Sequence, residues 1–237
     1  MAMPYTIGLV VPFPTDDVPA EGIEMYPAMR FIAKGVGVGS LTPAGYAKAM
    51  EGVVPAAKAL ASQGADAIMV IGTSLTFFRG AAFNTALIEE IKAATGLPVG
   101  TMSSAIVEGL AAVGARKLAV ATAYAGEVNG LLRTFLEQSG FEVLSLEGFG
   151  HTDFFAPHTV SEDSIIQLSH KVCKAAPEAD ALLISCGGLR TLRVAKPLED
   201  RHGIPVVSSM PASFWSAMRL AGMPSRISGC GRLLDGE

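Results

Sequence analysis

Charge, cysteine and aromatic residues are all scarce in this sequence. Of its 237 residues, 17% are charged and 7% aromatic, with a single tryptophan and three cysteines. The 18 basic and 22 acidic side chains leave a net charge of -4 and form no basic cluster. Nucleic-acid binding depends on neutralising phosphates, so that class is set aside. Cys173, Cys186 and Cys230 are odd in number and irregularly spaced, which fits neither a disulfide framework nor a metal-ligand set. A reducing compartment is expected. The N-terminal Met-Ala-Met-Pro-Tyr-Thr-Ile-Gly lacks the basic start and apolar stretch of a secretion signal, so the expectation is a cytoplasmic protein. Long apolar runs are missing too. Half of the residues are hydrophobic and mean hydropathy is +0.41, yet Gly, Pro or charge breaks each run before the roughly 18 residues of a membrane span. The apolar excess must form a core, and the length suits one large unit or two small ones.

What the sequence does have is alternation. Short runs of Val, Ile and Leu alternate with Ala-rich segments of helical period, the pattern of parallel sheets covered by helices, so the fold class is α/β. Strands are expected near 5–11, 66–71, 97–101, 117–122, 141–147, 180–185 and 204–208. Helices are expected near 43–63, 84–94, 103–113, 126–138, 161–175, 190–201 and 211–221. The first of these opens on Thr42-Pro43, a cap followed by proline at the first helical position.

The second half repeats the first. Asp66-Ala-Ile-Met-Val-Ile-Gly72 aligns without a gap on Asp180-Ala-Leu-Leu-Ile-Ser-Cys186, and Gly96-Leu-Pro-Val99 aligns on Gly203-Ile-Pro-Val206. The strand at 6–11 corresponds to that at 117–122. A duplicated chain is expected, the alternative being a coincidence of similar βα units: residues 1–115 and 210–237 are expected to form an N-terminal lobe, with the last helix and tail returning to it, and residues 116–209 a C-terminal lobe. Ligands of open α/β sheets bind outside the carboxyl ends of the strands, so Gly72 is expected opposite Cys186 in a cleft between lobes.

Several residues at those strand ends carry chemistry. Ser185-Cys186-Gly187-Gly188-Leu189 ends a strand and is expected to open a helix, whose N–H groups favour an anion. Cys186 is then either a reactive thiol or a small core hydrophobe, and the two glycines, with no obvious packing role, favour close approach of a ligand. Thr73 and Ser74 after Gly72 are hydroxyl donors to a carboxylate or else helix caps. Tyr124 is a further donor or an amphipathic rim residue. His151 and His158 flank Asp153, Phe154 and Phe155 without a third ligand at a recognisable spacing, and read as loop residues. The stretch Gly35-Val-Gly-Val-Gly39 lacks the strand-then-helix context of a dinucleotide fingerprint, and no Walker lysine motif appears. No cofactor and no metal are expected.

The chain resembles the arylmalonate decarboxylase family of the aspartate/glutamate racemase superfamily, which also contains maleate cis-trans isomerase. The resemblance runs through Gly35 to Tyr46, Gly72-Thr-Ser-Leu-Thr-Phe-Phe-Arg-Gly-Ala-Ala-Phe-Asn84, Ala121-Thr-Ala-Tyr124, Ser185-Cys-Gly-Gly-Leu189 and Pro205-Val-Val-Ser-Ser209. It implies two pseudo-symmetric flavodoxin-like lobes with the site between them. The racemases use one cysteine from each lobe, whereas the decarboxylase keeps only the second and has glycine at the first. Gly72 and Cys186 match the latter.

The resemblance further implies cofactor-independent loss of carbon dioxide from a malonate-type dicarboxylate, with an enediolate protonated on one face by Cys186. Thr73, Ser74, Tyr124 and the N–H groups of Gly187 and Gly188 would form a dioxyanion hole. Val38, Leu41, Phe154 and Pro12 would line an apolar pocket for the departing carboxylate. The alternatives are a maleate isomerase or amino-acid racemase relative, and a non-catalytic dicarboxylate binder. Partners beyond a small dicarboxylate are not expected, neither nucleic acid nor membrane, and a monomer or small homo-oligomer is. The stretch Gly150 to His158 departs from the family pattern beside the pocket, which leaves the substrate's substituent open.

Overall fold

The computed structural model describes residues 5–236. Met1–Pro4, where part of the expectation about a leader falls, and Glu237 lie outside the described residues. The first half runs β1 (Thr6–Val11), α1 (Ala20–Met25), β2 (Arg30–Gly35), α2 (Pro43–Met50), α3 (Val53–Ser62), β3 (Ala67–Val70), α4 (Thr73–Phe77), α5 (Ala81–Thr95), β4 (Val99–Thr101) and α6 (Met102–Ala112). The second runs β5 (Lys117–Tyr124), α7 (Gly126–Gln138), β6 (Glu142–His151), a 3₁₀ turn at Ala156–Thr159, α8 (Glu162–Ala175), β7 (Ala181–Ser185), α9 (Ala195–His202), β8 (Val206–Ser208), α10 (Ser209–Leu220) and α11 (Arg232–Asp235).

Two four-stranded parallel sheets result, with orders β2-β1-β3-β4 and β6-β5-β7-β8. The order is the same in both, element for element. The central strands β1, β3 and β7 are buried along their whole length, as their unbroken apolar runs require when helices cover both sheet faces. Equivalent aspartates make equivalent bonds. Asp66 accepts the N–H of Thr6 at 2.7 Å, and Asp180 accepts those of Arg116 and Lys117 at 2.9 Å, so each carboxylate ties a middle strand to the start of its neighbour. The repeat is thus written into the hydrogen bonds as well as the sequence.

Several elements differ from the sequence expectation. The helix at 43–63 is two helices, because Pro55 in a continuous helix would lose its bond and strike the carbonyl of Glu51; breaking at Glu51-Gly52 puts Pro55 in a first turn. The helix expected from 190 starts at Ala195 for the same reason, which puts Pro197 in its first turn. No helix therefore opens at Cys186. The unanticipated edge strand β2 has a charge near each end, and Lys34 pairs with Asp16 at 2.8 Å. Because β2 ends at Gly35, the glycine-rich stretch does follow a strand, contrary to expectation. The short helices α1 and α4 hold too few residues to show a period.

Helix α10 packs on α6, α1, β3 and β4 and also touches β8. The tail after it reaches both halves: the Tyr26 hydroxyl donates to the Ser225 carbonyl at 2.8 Å, while the N–H of Arg232 donates to the buried Glu199 carboxylate at 3.0 Å. No helix among the described residues is long and apolar enough to cross a membrane.

Candidate active site

The carboxyl ends of β1, β3, β5 and β7 converge on a cavity enclosing about 470 Å³ of empty space, its mouth included. Cys186, Thr73, Ser74, Tyr124, Gly187, Gly188, Gly72, Pro12, Val38, Leu41 and Phe154 all line it. Residues that sequence reasoning did not select join them, notably Phe13, Tyr46, His158 and Met210.

The turn after β3 passes Gly72 at φ 125°, and the matching turn after β7 passes Cys186 at φ 141°. Among the described residues Cys186 is the one non-glycine residue with positive φ. Such a conformation costs about 1–3 kcal/mol and persists where the surroundings over-determine it, commonly at functional sites. Here the Cys186 N–H donates to the Ser209 hydroxyl at 3.1 Å, and its carbonyl accepts the N–H of Leu189 at 3.1 Å. Further along the loop, the half-buried Glu21 carboxylate of α1 accepts the N–H groups of Thr191 and Leu192 at 2.9 and 2.6 Å, which replaces the helical start that was expected. Glu21's own carboxyl is raised by that burial.

Burial pushes the Cys186 thiol up to about 11. The N–H groups of Gly188 and Leu189 and the Tyr124 hydroxyl pull the other way and lose. That balance favours the thiol over the thiolate at neutral pH. Helix dipole plays no part in this balance, since α9 begins nine residues later.

Across the cavity, α4 begins at Thr73. Its hydroxyl donates to the Met102 thioether at 2.9 Å and to Ser209 at 3.0 Å, and its carbonyl accepts the Ser103 hydroxyl. Thr73 and Ser74 are 2% and 6% exposed. Tyr124, the last residue of β5, is no rim residue: it is fully buried, edge-on to Phe77, and its phenol is raised well above the usual range by burial. Tyr46 on α2 is buried as well. Its hydroxyl has no hydrogen-bond partner, although Ser74 lies beside it, and buried polar atoms are nearly always paired. A buried phenol so weakly held, lining a cavity, is free to turn to an acceptor there. Tyr46 stood in a recognised motif, but a tyrosine on a helix carries no sign of its direction.

The apolar side is closed by contacts between halves. The N–H of Leu41 donates to the Thr152 carbonyl at 2.8 Å, and Ser40 bridges Asp153, joining the glycine-rich stretch to the segment before the 3₁₀ turn. Asp153 in turn accepts the N–H groups of Phe155 and Ala156. Phe154 is buried there, edge-on to Phe13 at 5.9 Å, and His158 lies 5.7 Å from Phe13. His158 is therefore a cavity residue, not merely a loop residue, and burial lowers its imidazole below the usual range. His151 ends β6 and stacks on Phe149 instead. Among the described residues no three His, Cys, Asp or Glu side chains gather as a metal site.

Known proteins share this sequence and fold. A family model described as arylmalonate decarboxylase matches residues 7–234. The arylmalonate decarboxylase of Bordetella bronchiseptica is 46% identical over 231 residues, spanning 97% of this chain and 96% of the relative. A crystal structure of a double mutant of arylmalonate decarboxylase in the liganded form superposes with a TM-score of 0.96 at 44% identity, covering 98% of this chain and 100% of the other. A maleate cis-trans isomerase of Nocardia farcinica with a covalently bound succinylcysteine intermediate has a TM-score of 0.90 at 20% identity, over 98% and 99% of the two chains, which is a likeness of fold. On sequence and structure alike, this chain is a member of the arylmalonate decarboxylase family, a family of carboxy-lyases.

Proposed function

We propose that the protein decarboxylates an α-aryl or α-alkenyl malonate without a cofactor and protonates the resulting carbanion on one face. The observation that carries this reading is the pairing of Cys186 with Gly72 at equivalent strand ends of one cavity. Breaking the carbon–carbon bond releases neutral carbon dioxide and leaves the electron pair delocalised into the retained carboxylate as an enediolate. Donors fixed on that carboxylate stabilise the developing charge. Thr73, Ser74, Tyr124 and the N–H groups of Gly187 and Gly188 fill this role, and the unpaired Tyr46 hydroxyl is a further candidate. Cys186 then passes its proton to the carbon and regains one from solvent after product leaves.

The departing carboxylate sits against Pro12, Val38, Leu41 and Phe154. Loss of its hydration disfavours the charged ground state, and departure as a neutral molecule relieves this. The half-buried Phe13 beside Phe154 gives that wall an aromatic edge suited to a planar substituent. The lobe boundary near residue 115 and the return of α10 to the first lobe belong to the same reading, as does a reducing, cytoplasmic setting for the three free thiols.

Incubation with phenylmalonate tests the reading. Release of carbon dioxide is expected; thermal stabilisation without turnover would instead mark a dicarboxylate-binding protein. Interconversion of maleate and fumarate would mark an isomerase.

A further inference from the structure

One side chain outside this set ties the two matched turns together. Ser209, the first residue of α10, is 1% exposed, and its hydroxyl oxygen accepts the Cys186 N–H at 3.1 Å and the Thr73 hydroxyl at 3.0 Å. One donor comes from each turn. The counterpart of Ser209 in the first half is Met102, the first residue of α6, because β4 and β8 are equivalent strands of equal length. Met102 takes the other contact of the Thr73 hydroxyl through its sulfur, and a side chain at Gly187 would meet its terminal methyl at 3.2 Å. The first residues of α6 and α10 thus bracket Thr73.

We propose that Ser209 is a positioning residue of the reaction: its hydroxyl locks the Cys186 backbone in its left-handed conformation and holds the Thr73 side chain in place, the single Thr73 hydroxyl proton turning from Ser209 to the ligand when one binds. This rests on the reading of Cys186 as proton donor. A hydroxyl oxygen offers two lone pairs, and here both are taken by groups that must be fixed relative to one another. Ser209 receives the N–H of the strained residue itself, whereas Glu21 acts on the loop five and six residues later. Without the hydroxyl, a buried N–H loses its acceptor, and orphaned donors of this kind drive the backbone to rearrange. Thr73 keeps only the thioether, a weak acceptor. Both losses act on the placement of the acid and the oxyanion donor, so turnover suffers more than binding.

The test compares S209A and S209T with the unmodified protein, using phenylmalonate turnover and the pH dependence of iodoacetamide alkylation followed on the Cys186 peptide. In S209A, kcat is expected to fall at least about tenfold with KM changed less than about threefold, and the alkylation midpoint to shift by about one pH unit or more as the burial and the N–H groups around the thiol change. S209T keeps the oxygen and is expected to recover kcat to within about threefold. Unchanged kcat and midpoint in S209A overturn the proposal; so does an equal loss in both variants with the midpoint unmoved, which reports packing alone. If S209A fails to fold, amide hydrogen exchange decides in the unmodified protein: protection of the Cys186 N–H comparable to that of β7 is expected, and rapid exchange overturns the lock. If the unmodified protein releases no carbon dioxide, the decarboxylase reading fails, while alkylation and exchange still judge the hold of Ser209 on Cys186.

Discussion

The turns after β3 and β7 occupy the same place in the two halves and bend the chain the same way, yet they have been put to different uses. At the first, glycine adopts φ 125° without penalty and a helix starts at once, presenting Thr73 and Ser74. At the second, cysteine is held at φ 141° against its preference and the chain wanders for nine residues before a helix forms. The duplicated fold supplies two facing turns; under the proposed function the difference in side chains makes one a binder of charge and the other a source of a proton. An enzyme acting on two faces needs an acid on both. Here a thiol stands at Cys186 and none at Gly72.

That asymmetry can be broken in steps, from the largest effect down. Cys186→Ala removes the proton donor and should lower turnover by several orders of magnitude while leaving product binding nearly intact, measurable by steady-state kinetics beside calorimetry. Thr73→Val removes a fixed donor from the other turn, and a loss of about 10²–10³ in kcat is expected. Gly72→Cys makes the two turns alike. It should erode the enantiopurity of the product or racemise added product, and it should cost about 1–3 kcal/mol of stability, since a side chain at φ 125° is strained and its Cβ would approach that of Leu75 to 3.2 Å. Cys186→Gly makes them alike in the opposite sense: an inactive protein that is more stable by about 1 kcal/mol or more in denaturant titration.

The comparison also has a pH signature. The Cys186 thiol, raised to about 11 by burial, stays protonated well above the range of an exposed cysteine. Since its folded value lies above its unfolded value, its contribution to stability is complete at neutral pH and is lost as pH rises through the folded value. Alkylation of Cys186 should therefore show a midpoint near 11, and activity should not fall with a midpoint near 8.5.

The repeat was legible in the sequence because parallel strands buried on both faces read as unbroken apolar runs and because the same aspartate opens both copies. Strand ends locate a cavity in such folds, so the residues after Gly72, Thr122 and Ser185 could be chosen without coordinates. What escaped depended on direction or on distant partners. Tyr46 looks like an ordinary helix residue until the fold turns it inward, and His158 like a loop residue until its loop is set beside the cavity. Pro55 and Pro197 broke helices whose periodicity looked continuous. The missing helix at Cys186 was not visible at all, because the loop is stabilised by Glu21, some 170 residues away in sequence.

The central claim is that one thiol on one face delivers the proton. Decarboxylation of the prochiral methyl(phenyl)malonate, with the product resolved by chiral chromatography, tests it most directly. The account predicts a single enantiomer of 2-phenylpropionate from the unmodified protein; a racemic product would contradict it.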